Sequence, residues 1–231
     1  MMPNREELRI GPGLFEFFRE LKSNNTREWF AANADRYERF VREPLLQFIR
    51  EFAFRLASIS PEFVADARKT GGSLFRIHRD TRFSKDKTPY KTHAGIQFRH
   101  RMAKNVHAPG FYLHLEPDEC FVAMGIWRPE RDALHAIRTY LAAHPKEWMA
   151  AREAPSCRRF ILEGDRLKRP PAGFDATHPL VEDLKLKSFL FYEDFPDSRA
   201  LEPDFSDWVA QALQDGFPLV RFLCRALGLP Y

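Results

Sequence analysis

The sequence predicts an α+β fold in which a central antiparallel sheet is flanked by N-terminal and C-terminal helices. Apolar residues recur at helical spacing over the first sixty positions and again at the C-terminal end, whereas the middle of the chain alternates with a period of two. Strands gathered in the middle with helices on either side are typical of α+β proteins. With 231 residues, 44% of them hydrophobic, the chain can bury one sizeable core, so we expect a single domain over residues 1–231.

The N-terminal region is predicted to form consecutive helices. The apolar residues of the first helix share one face, at positions Leu14, Phe17, Phe18 and Leu21. Thr26 is a suitable N-cap for a second helical segment and Asn33 for a third. Pro44 fits the first turn of a longer helix that ends near residues 60–61. We expect the phenylalanine-rich faces of these helices to pack against the sheet.

The middle of the chain is predicted to form an antiparallel meander. Its four strands are expected at residues 74–79, 93–98, 111–116 and 120–127. The turn formed by residues 117–119 joins the last two strands as a hairpin. Pro89 and the polar residues before it oppose regular structure, so residues 80–89 are predicted to be a loop between the first two strands.

The C-terminal half combines helices with two more strands. A helix is predicted to begin after residues 128–130 and another after Pro145. The remaining elements are expected to be strands at 160–163 and 188–192, a short helix at 180–184, and an acidic surface loop at 193–203. Two final helices are predicted, separated by residues 216–218, which read Gly-Phe-Pro.

Composition excludes several classes of protein. The three cysteines are widely spaced and match no metal or redox motif, so we interpret them as buried thiols. No apolar run approaches the roughly 20 residues that cross a bilayer, and the N-terminus lacks a signal-peptide core. We therefore expect a cytoplasmic protein that does not bind membranes, with residues 1–11 as a flexible N-terminal segment.

One stretch of the chain, residues 76–91, concentrates positive charge. It reads RIHRDTRFSKDKTPYK and holds six Lys or Arg residues and two Asp. Its formal charge equals the net charge of +4 of the whole chain, so the other residues balance. Localised charge focuses the electrostatic field and attracts anions more effectively than a diffuse basic surface does. We expect the functional site here.

The sequence predicts a phosphorylated or otherwise acidic small molecule as the ligand of this stretch. Arginine guanidinium groups suit the oxygens of phosphate and carboxylate, and lysines add mobile charges. The predicted ligand-binding residues are Arg76, Arg79, Arg82, Ser84, Lys85, Lys87, Tyr90, Lys91 and His93. Strand alternation places Arg79 on the face of Phe75 and Ile77, so we expect its side chain to be partly buried.

Two other interpretations of the stretch remain open. Single-stranded nucleic acid would use the same cations together with Arg99, Arg101 and Lys104, with Phe83 and Tyr90 as stacking groups. In a purely structural interpretation, the two Asp residues of the stretch pair with its arginines and hold the loop together.

The chemistry, if there is any, is left open by the sequence. Tyr90, His93 or His114 can supply acid or base catalysis beside a bound anion, but no nucleophile has an identified base. Polar residues share the opposite face of the predicted sheet, namely Arg76, His78, His93, Gln97, Tyr112, His114 and Glu116. Because these histidines lie on separate strands without a compact motif, we predict neither a metal ion nor a cofactor.

Four segments together resemble one known family. The strings LKSNNTREWF, RIHRDTRFSKDKTPYKTHAG, GFYLHLEP and GIWRP are similar to the Domain of Unknown Function 2461 family of bacterial and fungal proteins, over roughly residues 14–227. This resemblance implies a single α+β domain, and the family has no established activity to transfer. His78 departs from the residue types of the family, which argues against a role that requires histidine there.

Overall fold

The centre of the molecule is an antiparallel sheet of six strands in the order β1-β2-β3-β4-β6-β5, in a computed structural model that describes residues 9–104 and 108–231. The strands are β1 (Phe63–Val64), β2 (Ala94–His100), β3 (Gly110–Leu115), β4 (Cys120–Ile126), β5 (Ile161–Glu163) and β6 (Phe189–Phe195). The predicted α+β class and the meander of β2, β3 and β4 are confirmed. Residues 1–8, most of the segment expected to be flexible, lie outside the described residues.

Helices precede, interrupt and follow the strands. Their bounds are α1 (Pro12–Ser23), α2 (Arg27–Ala32), α3 (Ala34–Tyr37), α4 (Glu43–Ile59), α5 (Arg131–Ala143), α6 (Pro145–Glu153), α7 (Val181–Leu184), α8 (Asp197–Ala200) and α9 (Phe205–Ala226). A π-helical turn, Glu38–Arg42, joins α3 to α4. Thr26 caps α2 as predicted, because its hydroxyl oxygen accepts a hydrogen bond from the backbone N–H of Trp29. In the described residues no helix combines the length and the apolar character needed to cross a membrane.

The helices share one hydrophobic core with one face of the sheet. Alternate residues of β4, such as Val122 and Met124, are almost fully buried, and α9 packs across this strand. Gly216 of α9 lies against Met124 of β4, and a Cβ atom at this position would overlap the Met124 sulfur. The glycine therefore allows α9 to approach β4 closely. The opposite sheet face carries half-buried side chains such as those of Tyr112 and Phe121, and it lines a large cleft described below.

The prediction of a strand at residues 74–79 is wrong. This segment makes only isolated bridges, from Leu74 to Ile96 and from His78 to Tyr90, and β1 occupies the sheet edge beside β2. Arg79 donates its backbone N–H to the carbonyl of Pro89 at 2.9 Å. Proline has no N–H to return, so a regular ladder cannot continue here.

Two predictions in the C-terminal half are also wrong. The helices expected on either side of residues 216–218 form one continuous helix, α9, with Pro218 inside it. Burial of a long apolar face stabilises this helix despite the lost hydrogen bond. Residues 193–203 do not form the predicted acidic surface loop. Strand β6 continues to Phe195, and α8 follows it. Arg159 pairs with Glu193 at 2.7 Å and compensates the acidic charge at this part of the strand.

Gly125 is the first residue of GIWRP, one of the strings that carried the family resemblance, and its position requires a glycine. Its φ of +122° lies in the region that favours glycine, although it is part of β4. A Cβ atom there would overlap the carbonyl oxygen of Phe189 in the neighbouring strand β6. The glycine therefore allows β4 and β6 to pair to their ends.

Candidate functional site

The basic loop, which we define as residues 80–88, is held at its base by backbone hydrogen bonds. Arg79 donates to Pro89 at 2.9 Å and Lys91 donates to Ile77 at 2.8 Å. The side chain of Asn25 bonds both backbone groups of Tyr90, donating to its carbonyl at 3.0 Å and accepting from its N–H at 3.1 Å. The base of the loop is thereby joined to the connection between α1 and α2.

Tyr90 adds an apolar contact at the same place. Its ring is buried and stacks on Phe30 of α2, with the ring centroids 4.1 Å apart. Stacked aromatic rings of this kind contribute roughly 0.5–1.5 kcal/mol beyond the area they bury. Residues from the segments LKSNNTREWF and RIHRDTRFSKDKTPYKTHAG therefore form one structural unit.

Ion pairs hold the loop together internally. Nη1 of Arg79 donates to Asp86 and to the hydroxyl of Thr88, and its side chain is only 28% exposed. Its hydrogen bond to the Asp86 carboxylate, together with hydrogen bonds from Thr88, lowers the pKa of that group to about 2. At the loop surface Arg82 pairs with Asp80 at 2.7 Å. The purely structural interpretation of the sequence predicted ion pairs of this kind between the two Asp residues and the arginines of the stretch.

A cleft of about 640 Å³ lies between α2 and the basic loop, and we call it the cationic cleft. It is lined by residues from the N-terminal end of α2 and from the loop and its base: Thr26, Arg27, Glu28, His78, Arg79, Thr81, Lys87, Pro89 and Tyr90. Three permanent cations and one carboxylate face this space. Lys87 is oriented by its hydrogen bond to the carbonyl of Thr81, at 2.9 Å.

The nine residues predicted as a ligand site do not converge on one place. Three of them line the cationic cleft, namely Arg79, Lys87 and Tyr90. The other six are not among its lining residues: Arg76, Arg82, Ser84, Lys85, Lys91 and His93. Sequence reasoning missed Thr26, Arg27 and Glu28, although the string LKSNNTREWF that carried the resemblance contains all three.

Residues at the loop tip are exposed or half-buried, and Lys91 at the base of the loop is bonded to the backbone. Arg82 and Lys85 are exposed, and Ser84 is half-buried, with its backbone N–H directed at Thr81. Lys91 donates to the carbonyl of the exposed residue Arg76 at 2.9 Å. Burial lowers the pKa of Lys91, and the charge of Arg76 lowers it further.

The groups invoked for nucleic acid are spread out. Phe83 is 95% exposed at the loop tip, with the Arg82 guanidinium 5.9 Å from its ring centroid. Arg99 and Arg101 are engaged with other groups, the Gln97 side chain and the carbonyl of Pro61. Tyr90 is buried against Phe30 and offers no free ring face.

His93, His114 and Glu116 form a second cluster on the sheet face opposite the helices. Oε2 of Glu116 lies 3.3 Å from Nε2 of His114 and 3.6 Å from Nδ1 of His93. Burial lowers the pKa of both imidazoles, that of His93 to about 4. The sequence placed these residues on one face, but strand register alone did not show that they meet.

The same sheet face carries a wide cleft of about 1360 Å³, which is larger than the cationic cleft. Phe121, which lines it, stacks on His114 with the ring centroids 4.6 Å apart. Aromatic and polar residues of β4 and β6, including Tyr192 and Asp194, form its floor. The histidine and glutamate cluster thus lies beside this wide open cleft.

Comparison with known protein families gives a match over most of the chain. The profile of a family described as conserved hypothetical proteins, DUF2461, matches residues 13–222, which is nearly the whole chain. No curated protein matches the sequence. The matched range includes the basic loop, the cationic cleft and the cluster on the sheet.

Proposed function

We propose that this chain, which belongs to the DUF2461 family of conserved hypothetical proteins, binds a phosphorylated or otherwise acidic small ligand in the cationic cleft. The observation that carries the proposal is the convergence of Arg27, Arg79 and Lys87 on one space. Among the residues that line it, Glu28 has a carboxylate, and Asp86 pairs with Arg79 from outside the lining. Cations that surround a concave site raise the local concentration of anions. The cleft volume of about 640 Å³ lies in the range typical of small-molecule sites.

The donor groups suit oxyanions. Within the described residues, Arg79 makes its side-chain hydrogen bonds through Nη1, which leaves Nε and Nη2 for a ligand. Arg27 adds a second guanidinium at the start of α2, and Thr81 a hydroxyl. Guanidinium groups bind carboxylate or phosphate through paired, charge-assisted hydrogen bonds. The pairing of Arg79 with Asp86 fixes the side chain before a ligand arrives, which reduces the entropic cost of binding.

The test is a thermal-shift screen with inorganic phosphate, pyrophosphate, nucleotides and dicarboxylates. The cleft variant is the double substitution Arg27→Ala, Lys87→Ala. The matched control is Arg82→Ala, Lys85→Ala, which removes the same charge from exposed positions that do not line the cleft. A ligand at 100 times its Kd stabilises a protein by about 2.7 kcal/mol. For a chain of this size the melting temperature should then rise by roughly 5–11 °C.

The outcomes separate the three interpretations. Ligand stabilisation of the wild type and the control, but not of the cleft variant, supports the proposal. If both variants lose the stabilisation by the ligand to the same extent, anions bind only through the general positive charge of the region. The proposal is then wrong. Tight binding of a labelled single strand, with a steep salt dependence that weakens in the loop-tip control, would favour nucleic acid. If no anion stabilises the wild type, and Arg79→Ala only lowers the melting temperature, the ion pairs are structural.

A further inference from the structure

We propose that His93, His114 and Glu116 bind a divalent transition-metal ion on the open face of the sheet. The inference does not depend on the cationic cleft, because the two groups of residues share no side chain. It departs from the sequence prediction that the protein holds no metal, which rested on the separation of these residues along the chain.

The spacing of the three side chains suits one ion. Their candidate ligand atoms all lie within 4.8 Å of one another. Two of the distances are 3.3 Å and 3.6 Å, both measured to Oε2 of Glu116. Tetrahedral ligands at roughly 2.0–2.1 Å from a zinc ion stand about 3.3–3.4 Å apart. Small rotations of the side chains would therefore complete the site.

Neighbouring groups orient two of the proposed ligands. The hydroxyl of Tyr112 lies 3.0 Å from Nδ1 of His114 and leaves Nε2 directed at Glu116. The hydroxyl of Thr92 donates to Oε1 of Glu116 at 2.7 Å, on the oxygen away from the histidines. Metal-binding histidines usually have such a partner on their other ring nitrogen, which fixes the ring and its tautomer.

The charge around Glu116 also favours a cation. Its side chain is only 14% exposed, and the ion-pair partners it has within the described residues are the two imidazoles. A largely buried carboxylate is costly unless it is paired or coordinates a metal ion, and a bound cation would supply a positive charge at this place.

The donor set indicates the class of metal. Two imidazoles and one carboxylate suit zinc or iron(II) and related ions, whereas calcium and magnesium prefer oxygen ligands alone. Three protein ligands leave at least one coordination position for water or a ligand. Phe121 contacts His114 and lines the wide cleft, so this position would be reached from that cleft.

The experiment titrates chelator-treated protein with cobalt(II), read by visible absorption, and with zinc, read by calorimetry. One equivalent should bind, and His93→Gln and Glu116→Gln should each weaken binding by more than about 100-fold, beyond the loss typical of an outer-shell group. Tyr112→Phe should weaken it by roughly 10–100-fold. His135→Gln, at an exposed histidine outside the cluster, should leave affinity unchanged.

Circular dichroism and thermal melts of each variant establish that it is folded. His93→Gln is the more secure variant, because this side chain is only half-buried and lies immediately before β2. The proposal is overturned if the wild type binds no metal at micromolar concentrations. It is also overturned if the folded His93→Gln variant binds as tightly as the wild type, or if the His135→Gln control loses binding equally.

Discussion

The basic loop should depend on Asn25 more than on any exposed residue of the same connection. Its amide group makes two hydrogen bonds to the backbone of Tyr90, at 3.0 and 3.1 Å. Substitution Asn25→Ala removes both and leaves a backbone donor and acceptor in a partly buried place. Each hydrogen bond contributes about 0.5–1.5 kcal/mol net, so we expect a loss of roughly 1–3 kcal/mol. For a chain of this length the melting temperature should fall by roughly 2–12 °C.

The neighbouring residue provides a matched control. Asn24 donates to the carbonyl of Glu20 at 2.9 Å in an exposed position, and Asn24→Ala should cost less than about 0.5 kcal/mol. Limited trypsin digestion should cut faster in the Asn25→Ala variant, at Lys85 or Lys87, because the loop opens more often. Equal melting temperatures and equal digestion rates for the two variants would refute the role assigned to Asn25.

Two further predictions concern glycine packing and the loop ion pair. Gly125→Ala should destabilise the protein more than Gly216→Ala, because its Cβ meets a strand carbonyl at positive φ, whereas the Met124 side chain can shift. Overpacking at Gly216 should cost about 1–3 kcal/mol by chemical denaturation, and a larger cost there than at Gly125 would contradict this ranking. The Asp86 carboxyl should titrate near pH 2 by NMR in the wild type, because Arg79 stabilises its ionised form. In an Arg79→Ala variant it should titrate nearer its ordinary value of 3.8, and an unchanged titration would refute the pairing.

Much of the fold follows from local patterns. The spacing of Leu14, Phe17 and Leu21 predicted α1, and the alternation after Ala94 predicted β2, because both patterns reflect burial of one face. The break predicted at Pro218 was wrong, because Pro218 lies inside α9. A turn signal in the sequence does not show how much apolar surface the surrounding helix buries. Tertiary packing outweighed the local preference.

The candidate sites were predictable only in part. Charge in the sequence located the basic loop, but the cationic cleft needs Arg27 of α2, which is brought there through Asn25 and Tyr90. The contact of His93 with Glu116 likewise depends on the exact course of the chain just before β2. Sequence patterns give the face on which a residue lies, but not the distance between side chains from separate segments.

The most direct test of anion binding in the cationic cleft is crystallographic. Crystals of the wild-type protein would be soaked in tungstate, a heavy isostere of phosphate, and the ion located by its anomalous scattering. We expect an anomalous peak between Arg27 and Arg79 that disappears when phosphate competes, and no such peak in the Arg27→Ala, Lys87→Ala variant. Peaks confined to Arg82 and Lys85 at the loop tip, or a cleft that stays without an anomalous peak, would contradict the proposed function.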